Sequence, residues 1–256
     1  MTIRPIFILF TIFLLSSCSI LSGDKDTKKL VADGLTPKEL YEKAEDKVDA
    51  GSIEQAIDQY EMILMSYPGS KYAIQARLDI AYNLLKQKKY NRSIITLNQF
   101  IDNYPDIPAT PYAYYLRGVA AEKKSSSILD KIVTDSAQRD VESIRDAYDY
   151  FVELIEDFPD SKYSDDAKDK LVTLRNTLAR HEFYVAIYYT DISSNIAALN
   201  RCKFIIENYP NSASIPDALH LMAYNYDIIN AYQLALDVRT ILTSSYPNYS
   251  PNYSIK

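Results

Sequence analysis

The sequence predicts an all-α solenoid built from five helix-turn-helix repeats. Three regularities carry this prediction. An aromatic residue followed by proline closes an apolar stretch five times, at Tyr67-Pro68, Tyr104-Pro105, Phe158-Pro159, Tyr209-Pro210 and Tyr246-Pro247. Twelve residues before these prolines the chain has small side chains: Ala56, Ser93, Ala147, Ala198 and Ala235. Five residues before them it has large apolar side chains: Ile63, Phe100, Leu154, Ile205 and Leu242.

A further column of small residues lies twenty-four positions before four of the prolines, at Ala44, Ala81, Ala186 and Ala223. The third repeat has Asp135 there, but Gly118 follows Ala81 by 37 residues, the spacing that separates Ala44 from Ala81. We therefore assign Gly118 to this column and place an insertion behind it. Small residues in both helices of a repeat, followed by a closing proline, are typical of tetratricopeptide repeats.

The predicted repeats span 36–70, 71–107, 111–161, 162–212 and 215–247. Helices are expected at 37–50 and 53–66, at 71–87 and 90–103, at 111–124 and 139–157, from 164 to 190, and within 215–245. Since no proline or glycine interrupts 164–190, a single long helix accounts for the extra length of repeat 4. The insertion at 125–138 is expected to contain a short helical turn that packs on the solenoid, and the tail at 248–256 is expected to fray.

The first 35 residues indicate export and anchoring. Residues 1–17 contain a charged start at Arg4 and a ten-residue apolar run, the proportions of a signal peptide. The run ends in Leu15-Ser16-Ser17-Cys18, which resembles the bacterial lipobox, so Cys18 is expected to be acylated and to become the mature N-terminus. Ser19 in place of aspartate favours the outer membrane, and 18–35 is expected to be a lipidated tether. The alternative is a buried apolar N-terminal helix with an incidental cysteine.

Composition argues against several classes of function. The net charge is −6 and the pI is near 5.1, which disfavours binding to a nucleic-acid backbone. His181 and His220 do not form a metal-ligand motif, and five glycines form no phosphate-binding loop. Asp165-Asp166 falls in a first helical turn, where carboxylates favour the helix dipole. We expect no catalytic residue, no metal and no cofactor, and we expect Cys202 to be a packed, unpaired thiol.

The stretch from residue 138 to 201 carries a family resemblance. Its motifs are Gln138-Arg139-Asp140, Pro159-Asp160-Ser161-Lys162-Tyr163, Asp166-Ala167, Leu174-Arg175-Asn176, Leu178-Ala179, His181-Glu182, Val185-Ala186, Tyr188-Tyr189 and Ala197-Ala198-Leu199-Asn200-Arg201. Together with the Cys18 motif, they resemble the BamD (ComL) family of lipoproteins from the outer-membrane β-barrel assembly machinery. The turn Asp191-Ile192-Ser193-Ser194 departs from the family, which usually has a glycine there, and this leaves the turn geometry open.

The resemblance implies a non-catalytic scaffold on the periplasmic face of the outer membrane. In that family the C-terminal repeats dock on a POTRA domain of the barrel-forming BamA subunit, beside other assembly lipoproteins. The N-terminal repeats receive the C-terminal signals of unfolded outer-membrane proteins. Arg201 matches the family arginine that pairs with an acidic residue of the POTRA domain, and the alternative is an ordinary surface arginine. The alternative function is a tetratricopeptide lipoprotein that organises cell-wall enzymes.

The expected binding surface for the unfolded substrate is the concave face, formed by the first helix of repeats 1 to 3. Residues one turn before the small column, and residues one position after it, are expected to line this surface. The set is Tyr41, Glu45, Leu78, Tyr82, Tyr115 and Val119. An aromatic trough suits barrel-protein ends, which carry aromatic and apolar side chains at alternate positions. The alternative for each residue is packing between repeats, because the chain has 23 tyrosines.

Overall fold

The computed structural model describes residues 34–127 and 141–255, so Cys18, most of the tether and most of the insertion lie outside the described residues. Within these ranges the chain forms ten α-helices and no strand. The helices are α1 (Pro37–Asp49), α2 (Ile53–Ser66), α3 (Lys71–Lys86), α4 (Tyr90–Asn103), α5 (Thr110–Ser127), α6 (Val141–Asp157), α7 (Ser164–Asp191), α8 (Asn195–Asn208), α9 (Ile215–Ile228) and α10 (Tyr232–Ser245). Each helix packs on the next, which gives the predicted all-α solenoid of five helix pairs.

The first helix begins where the sequence places it. The Thr36 hydroxyl accepts a hydrogen bond from the Glu39 backbone N–H at 3.3 Å, and the Glu39 carboxylate accepts one from the Thr36 N–H at 2.8 Å. This capping box satisfies two backbone donors that the helix leaves free. None of the helices in the described ranges is long and apolar enough to cross a bilayer.

Small side chains are buried where the two helices of a repeat cross. Ala44, Ala81 and Ala186 are fully buried, and so are their partners on the second helices. A Cβ atom placed on Gly118 would lie 2.5 Å from a ring carbon of Phe151 on α6. The prediction that Gly118 takes the small position of repeat 3 is therefore confirmed. The aromatic ring of the second helix rests directly on this glycine.

The aromatic residue before each proline ends the second helix of its repeat. In Tyr67, Tyr104 and Tyr246 the backbone has φ between −134 and −137° and ψ between 53 and 64°, outside the helical region. The proline ring clashes with the backbone of the preceding residue when that residue is helical, so the helix ends at the aromatic residue. Each of these residues still donates its N–H to the carbonyl four positions earlier, which belongs to the large apolar column.

The turns between paired helices use a left-handed residue. Gly51, Lys88, Ser193 and Asn230 have φ values of 74, 61, 58 and 61° in repeats 1, 2, 4 and 5. Ser193 thus has the same left-handed backbone conformation as Gly51, Lys88 and Asn230 in the other turns. This conformation costs a non-glycine residue about 1–2 kcal/mol, so Ser193 lowers the local stability of the turn compared with a glycine.

The long helix α7 links the middle of the solenoid to its end. It has 28 residues, one more than predicted, and is about 42 Å long at 1.5 Å per residue. Near its start Asp166 accepts a hydrogen bond from the Tyr115 hydroxyl at 2.7 Å. Near its end the Thr190 hydroxyl accepts one from the Asn225 side chain at 2.9 Å. One helix therefore contacts both repeat 3 and repeat 5.

The C-terminal tail corrects one expectation. Instead of fraying, Tyr249 and Tyr253 pack on the core that repeats 2 to 5 share. The Tyr249 hydroxyl donates to Asp217 at 2.6 Å, and the Tyr253 hydroxyl lies 2.6 Å from His220 Nδ1. Polar residues and prolines between the tyrosines suggested a solvated end, but partly buried rings with hydrogen-bonded hydroxyls offset the cost of ordering the tail.

The crossing of α5 and α6 can be tested with a single methyl group. We expect Gly118→Ala to lower the free energy of unfolding by about 1–2 kcal/mol, because overpacking against Phe151 outweighs the gain in helix propensity. Urea unfolding followed by circular dichroism measures this change. Gly69→Ala is the matched control, since nothing lies within 4 Å of a Cβ there. Equal stability of the two variants would contradict the close crossing.

Candidate functional sites: two inner clefts and the Arg201 surface

The first helices of neighbouring repeats form the inner face of the solenoid. Helix α1 contacts α3, α3 contacts α5, and α7 contacts α9. Two clefts open on this face. The first cleft lies between α1 and α3 and has a volume of about 490 Å³. The second cleft lies between α5 and α7 and has a volume of about 480 Å³.

The first cleft is lined by tyrosines and carboxylates, namely Tyr41, Tyr60, Tyr82, Glu42, Glu45, Asp46, Asp49 and Asp79. Its centre is a hydrogen bond of 2.6 Å from the Tyr41 hydroxyl to Asp79 Oδ2. The Tyr41 ring is 5.5 Å from the rings of both Tyr60 and Tyr72, centroid to centroid. These contacts fix the ring of Tyr41 and the carboxylate of Asp79 before any ligand arrives.

The electrostatics of the first cleft favour a cationic or hydrogen-bond-donating ligand. None of the residues that line it is a lysine or an arginine. Burial raises the pKa of the Asp79 carboxyl, while hydrogen bonds from Tyr41 and Gln75 oppose the shift. Burial, followed by repulsion from Asp79 and Asp49, raises the pKa of Glu45. Carboxylates that repel one another gain from a nearby positive charge, so the cleft attracts basic side chains.

The second cleft has both signs of charge. The Tyr115 ring stacks on Tyr163 with centroids 5.2 Å apart, and its hydroxyl donates to Asp166. Burial first, and then this hydrogen bond, raises the pKa of the Tyr115 hydroxyl. Across the cleft, Lys170 Nζ is 2.9 Å from a carboxylate oxygen of Glu122. The second cleft thus offers an aromatic wall beside one ion pair.

The six residues predicted to line the concave face differ in accessibility. Glu45 is exposed, Tyr82 is 38% exposed, and Tyr41 and Tyr115 are half-buried beside their clefts. Val119 lines the second cleft but is only 9% exposed. Each of the two half-buried tyrosines both packs on neighbouring rings and borders a cleft, so the two readings of these residues do not exclude each other.

Leu78 does not lie on this surface, which corrects the prediction. It is 3% exposed and packs in the same core as Leu97 and Phe100. The next residue, Asp79, reaches the first cleft instead. Leu78 precedes Ala81 by three residues, which is about 60° short of a full helical turn. On α3, position 78 therefore faces the core, and position 79 faces the cleft. Gln75, Asp79 and Asn83 form an i, i+4 series of polar residues on α3. This spacing is the sequence signal that could have placed Asp79 at the cleft.

Arg201 is half-exposed on α8 and already has a partner within the chain. Its guanidinium donates to Glu182 Oε2 at 2.9 Å, and Arg145 Nη2 lies 3.9 Å from the other oxygen of the same carboxylate. The Glu182 side chain on α7 is only 7% exposed. Arg201 therefore neutralises a buried carboxylate, and 42% of its own side chain stays accessible.

Arg201 borders a cleft that also has apolar lining residues. A cleft of about 310 Å³ is lined by Tyr189, Ala197, Asn200, Arg201 and Phe204. Beyond it, at the turn from α7 to α8, Tyr188, Ile192 and Ile196 are 60, 51 and 61% exposed. Apolar side chains gathered around an accessible arginine are the usual composition of a protein-binding patch. We call these three residues and the cleft the Arg201 surface.

The carboxylates and the histidine considered for catalysis or metal binding have structural partners. Asp165 forms an ion pair with Lys168 at 2.9 Å, Asp166 binds Tyr115, and His220 binds Tyr253. In the described part of the chain, no group of three or more ligand-type side chains could hold a metal ion. Cys202 is fully buried, as predicted, and burial raises the pKa of its thiol to about 12.

Comparison with known proteins identifies the family. Residues 33–240 match the model of the YfiO family, described as outer membrane lipoprotein. The chain belongs to this family. A Neisseria gonorrhoeae relative named outer membrane protein assembly factor BamD is 33% identical over 91% of this chain and 87% of its own length. A relative of the same name from Xylella fastidiosa is 30% identical over 94% of this chain and 81% of its own length.

Solved structures add a more distant likeness. The TPR2AB domain of yeast Sti1, solved in a complex, aligns over 83% of this chain and 78% of its own length, with 12% identity and a TM-score of 0.41. A tetratricopeptide repeat protein from Parabacteroides merdae aligns over 83% of this chain and 67% of its own, with 14% identity and a TM-score of 0.37.

The ion pair at the Arg201 surface predicts a stability change. Arg201→Glu is expected to lower the free energy of unfolding by about 1–3 kcal/mol, because it places a second carboxylate beside the buried Glu182. Thermal and urea unfolding measure the effect. Lys203→Glu on the same helix is the control, because Lys203 makes only an exposed i, i+4 pair with Glu207, and a change below about 0.5 kcal/mol is expected. Indistinguishable variants would remove the structural role of Arg201.

Proposed function

We propose that the protein is a scaffold of outer-membrane β-barrel assembly. The observation that carries the proposal is the family match over residues 33–240, together with assembly factors that are 30–33% identical over more than nine-tenths of this chain. These relatives favour barrel assembly over the organisation of cell-wall enzymes. The partners in this proposal are a BamA-like barrel subunit, other assembly lipoproteins and unfolded outer-membrane proteins.

The first and second clefts are the proposed receptors for the C-terminal segments of unfolded barrel proteins. Side chains on one face of an extended peptide are about 6.6–6.8 Å apart, so successive rings can rest on tyrosines of one cleft. The bound hydroxyl of Tyr41 and the carboxylate of Asp79 leave acceptor oxygens for a peptide N–H or a basic side chain. Tyr82 and Glu45 border the same cleft and are accessible from solvent.

The Arg201 surface is the proposed docking site for a POTRA domain. Its apolar members supply buried area, and Arg201 supplies charge for an acidic residue of the partner. Since Arg201 already neutralises Glu182, a partner carboxylate would share the guanidinium with that residue. Arginine suits this arrangement because its five N–H donors can serve two carboxylates at once.

The anchor is the part of the proposal that rests on sequence alone. We propose that Cys18 carries the lipid and holds the protein at the periplasmic face of the outer membrane. Each buried methylene contributes about 0.8 kcal/mol, so several acyl chains give a stable attachment. Residues 18–35 then connect the anchor to α1, which begins at Pro37.

We propose no catalytic step for the chain. Its inner face presents bound tyrosines and carboxylates, and the nucleophile Cys202 is fully buried with a raised pKa. A thiol of this kind is inert because reaction requires the thiolate. Binding and positioning of other chains account for the surfaces described above.

Affinity purification from gently solubilised membranes tests the scaffold proposal. The wild-type protein is expected to bring a large β-barrel protein with POTRA domains. Ile196→Glu should lose this partner, because it places a charge in the Arg201 surface. Met65→Glu is the matched control on α2, since Met65 is 58% exposed and Ile196 is 61% exposed.

The same preparation tests the anchor. Cys18→Ser is expected to move the folded protein from the membrane fraction to the soluble periplasmic fraction. Recovery of that variant in membranes after a high-salt wash would contradict acylation at Cys18. Purification of cell-wall enzymes in place of a POTRA-containing barrel would contradict the scaffold proposal, whatever the position of the anchor.

A further inference from the structure

The C-terminal tail lies across the first helices of repeats 4 and 5. The Tyr253 ring meets the Phe183 ring edge to face, with centroids 4.9 Å apart and an interplanar angle of 83°. Its hydroxyl lies 2.6 Å from Nδ1 of His220, and the Tyr249 hydroxyl donates to Asp217 at the same distance. Phe183 belongs to α7, and Asp217 and His220 belong to α9. The tail therefore fills a groove between two first helices.

This groove occupies the same register as the two clefts. Phe183 and His220 each stand three residues before the small residue of their repeat, Ala186 and Ala223. Tyr41 stands three residues before Ala44 in the first cleft, and Tyr115 stands three before Gly118 in the second. The repeats thus place equivalent positions at both ends of the inner face, and a peptide already lies on one of them.

The tail alternates between partly buried and exposed residues. Residues 250–255 form no helix or strand, and Tyr253 and Ile255 are partly buried against the core while Ser254 between them is exposed. Alternation of this kind is what an extended segment shows when one of its faces rests on a surface. Tyr253 and Ile255 are an aromatic and an apolar residue at alternate positions.

Side chains hold the tail more than its backbone does. Among the described residues, the backbone hydrogen bond of this segment is a local turn from Tyr249 N–H to the Tyr246 carbonyl, 3.0 Å long. The contacts with α7 and α9 come from the rings and hydroxyls of two tyrosines. A segment with few backbone hydrogen bonds opens at low free-energy cost compared with the helices beneath it.

We propose that the groove formed by Phe183, Asp217 and His220 is a peptide-binding site, and that the chain's own residues 249–255 occupy it as a displaceable internal ligand. Its external ligand is an extended peptide with aromatic or apolar residues at alternate positions. The inference goes beyond the assembly function and holds whichever peptides the two clefts receive. A tethered ligand has an effective concentration in the millimolar range, so it blocks weak external peptides until it is released.

Peptide binding to the 256-residue chain tests the site. The probe is a fluorescein-labelled peptide with the sequence of residues 247–256, and the readout is fluorescence anisotropy. Tyr249→Ala/Tyr253→Ala empties the groove without changing its walls. We expect this variant to bind the probe at least tenfold more tightly than the wild type does. Equal affinity for both proteins, or no binding to the variant, would overturn the proposal.

Two controls keep the result specific. Adding Phe183→Ala to the double variant removes the wall that contacts Tyr253, and at least tenfold weaker binding is expected if helix content by circular dichroism is unchanged. A probe with both tyrosines replaced by serine should bind none of the proteins. Tight binding by the Phe183→Ala variant, or any binding of the serine probe, would show that the probe binds outside the groove and would contradict the proposal.

A second measurement covers the case in which the double variant unfolds. A spin label attached at Ser254→Cys leaves both tyrosines in place, and Ser254 is exposed. Electron paramagnetic resonance should show a restricted label that becomes mobile when excess unlabelled tail peptide is added. A label that stays restricted at saturating peptide would identify the tail as a fixed part of the fold and would overturn the proposal.

Discussion

Close approach of the paired helices at small residues is the constraint on which the structure depends. Where Gly118 meets the Phe151 ring, a Cβ atom would lie 2.5 Å from a ring carbon. In repeat 2 the Ser93 hydroxyl donates to the Ala81 carbonyl at 2.8 Å, so the two small residues bond directly. When the two helices of a repeat lie this close together, their larger side chains pack in the spaces between repeats. The repeat therefore determines which residues form the core and which reach the inner face.

The inner face combines aromatic rings with fixed polar partners. Tyr41 binds Asp79, Tyr115 binds Asp166, and Tyr253 of the tail binds His220. A ring that is held at its hydroxyl gives apolar contact area without losing further conformational entropy when a peptide binds. Other contacts hold the paired helices together. Arg117 of α5, for example, is buried between the rings of Tyr114 on α5 and Tyr150 on α6. Rigid helices thus support a surface suited to extended chains.

Alignment of the five repeats on their prolines predicted the helices well, because the spacing of small and apolar residues is a local signal that recurs in each repeat. They predicted the long helix α7 and the place of Gly118 in the column of small residues. They failed where side-chain direction depends on the rotation of one helix, as at Leu78, which is buried while Asp79 faces the cleft. Pairing between distant segments, such as Arg201 with Glu182 or the tail with α9, leaves no periodic trace in a single sequence.

The central claim is that the inner face of the first helices receives extended peptide segments. Site-specific photo-crosslinking from Tyr82 tests it most directly, with a matched crosslinker at Gln55, an exposed residue of the neighbouring second helix α2. The ligand is an unfolded outer-membrane barrel protein, and mass spectrometry locates the crosslinked peptide. The crosslinker at Tyr82 is expected to capture the barrel protein's C-terminal segment, and the crosslinker at Gln55 is not. Equal capture at both positions would contradict it.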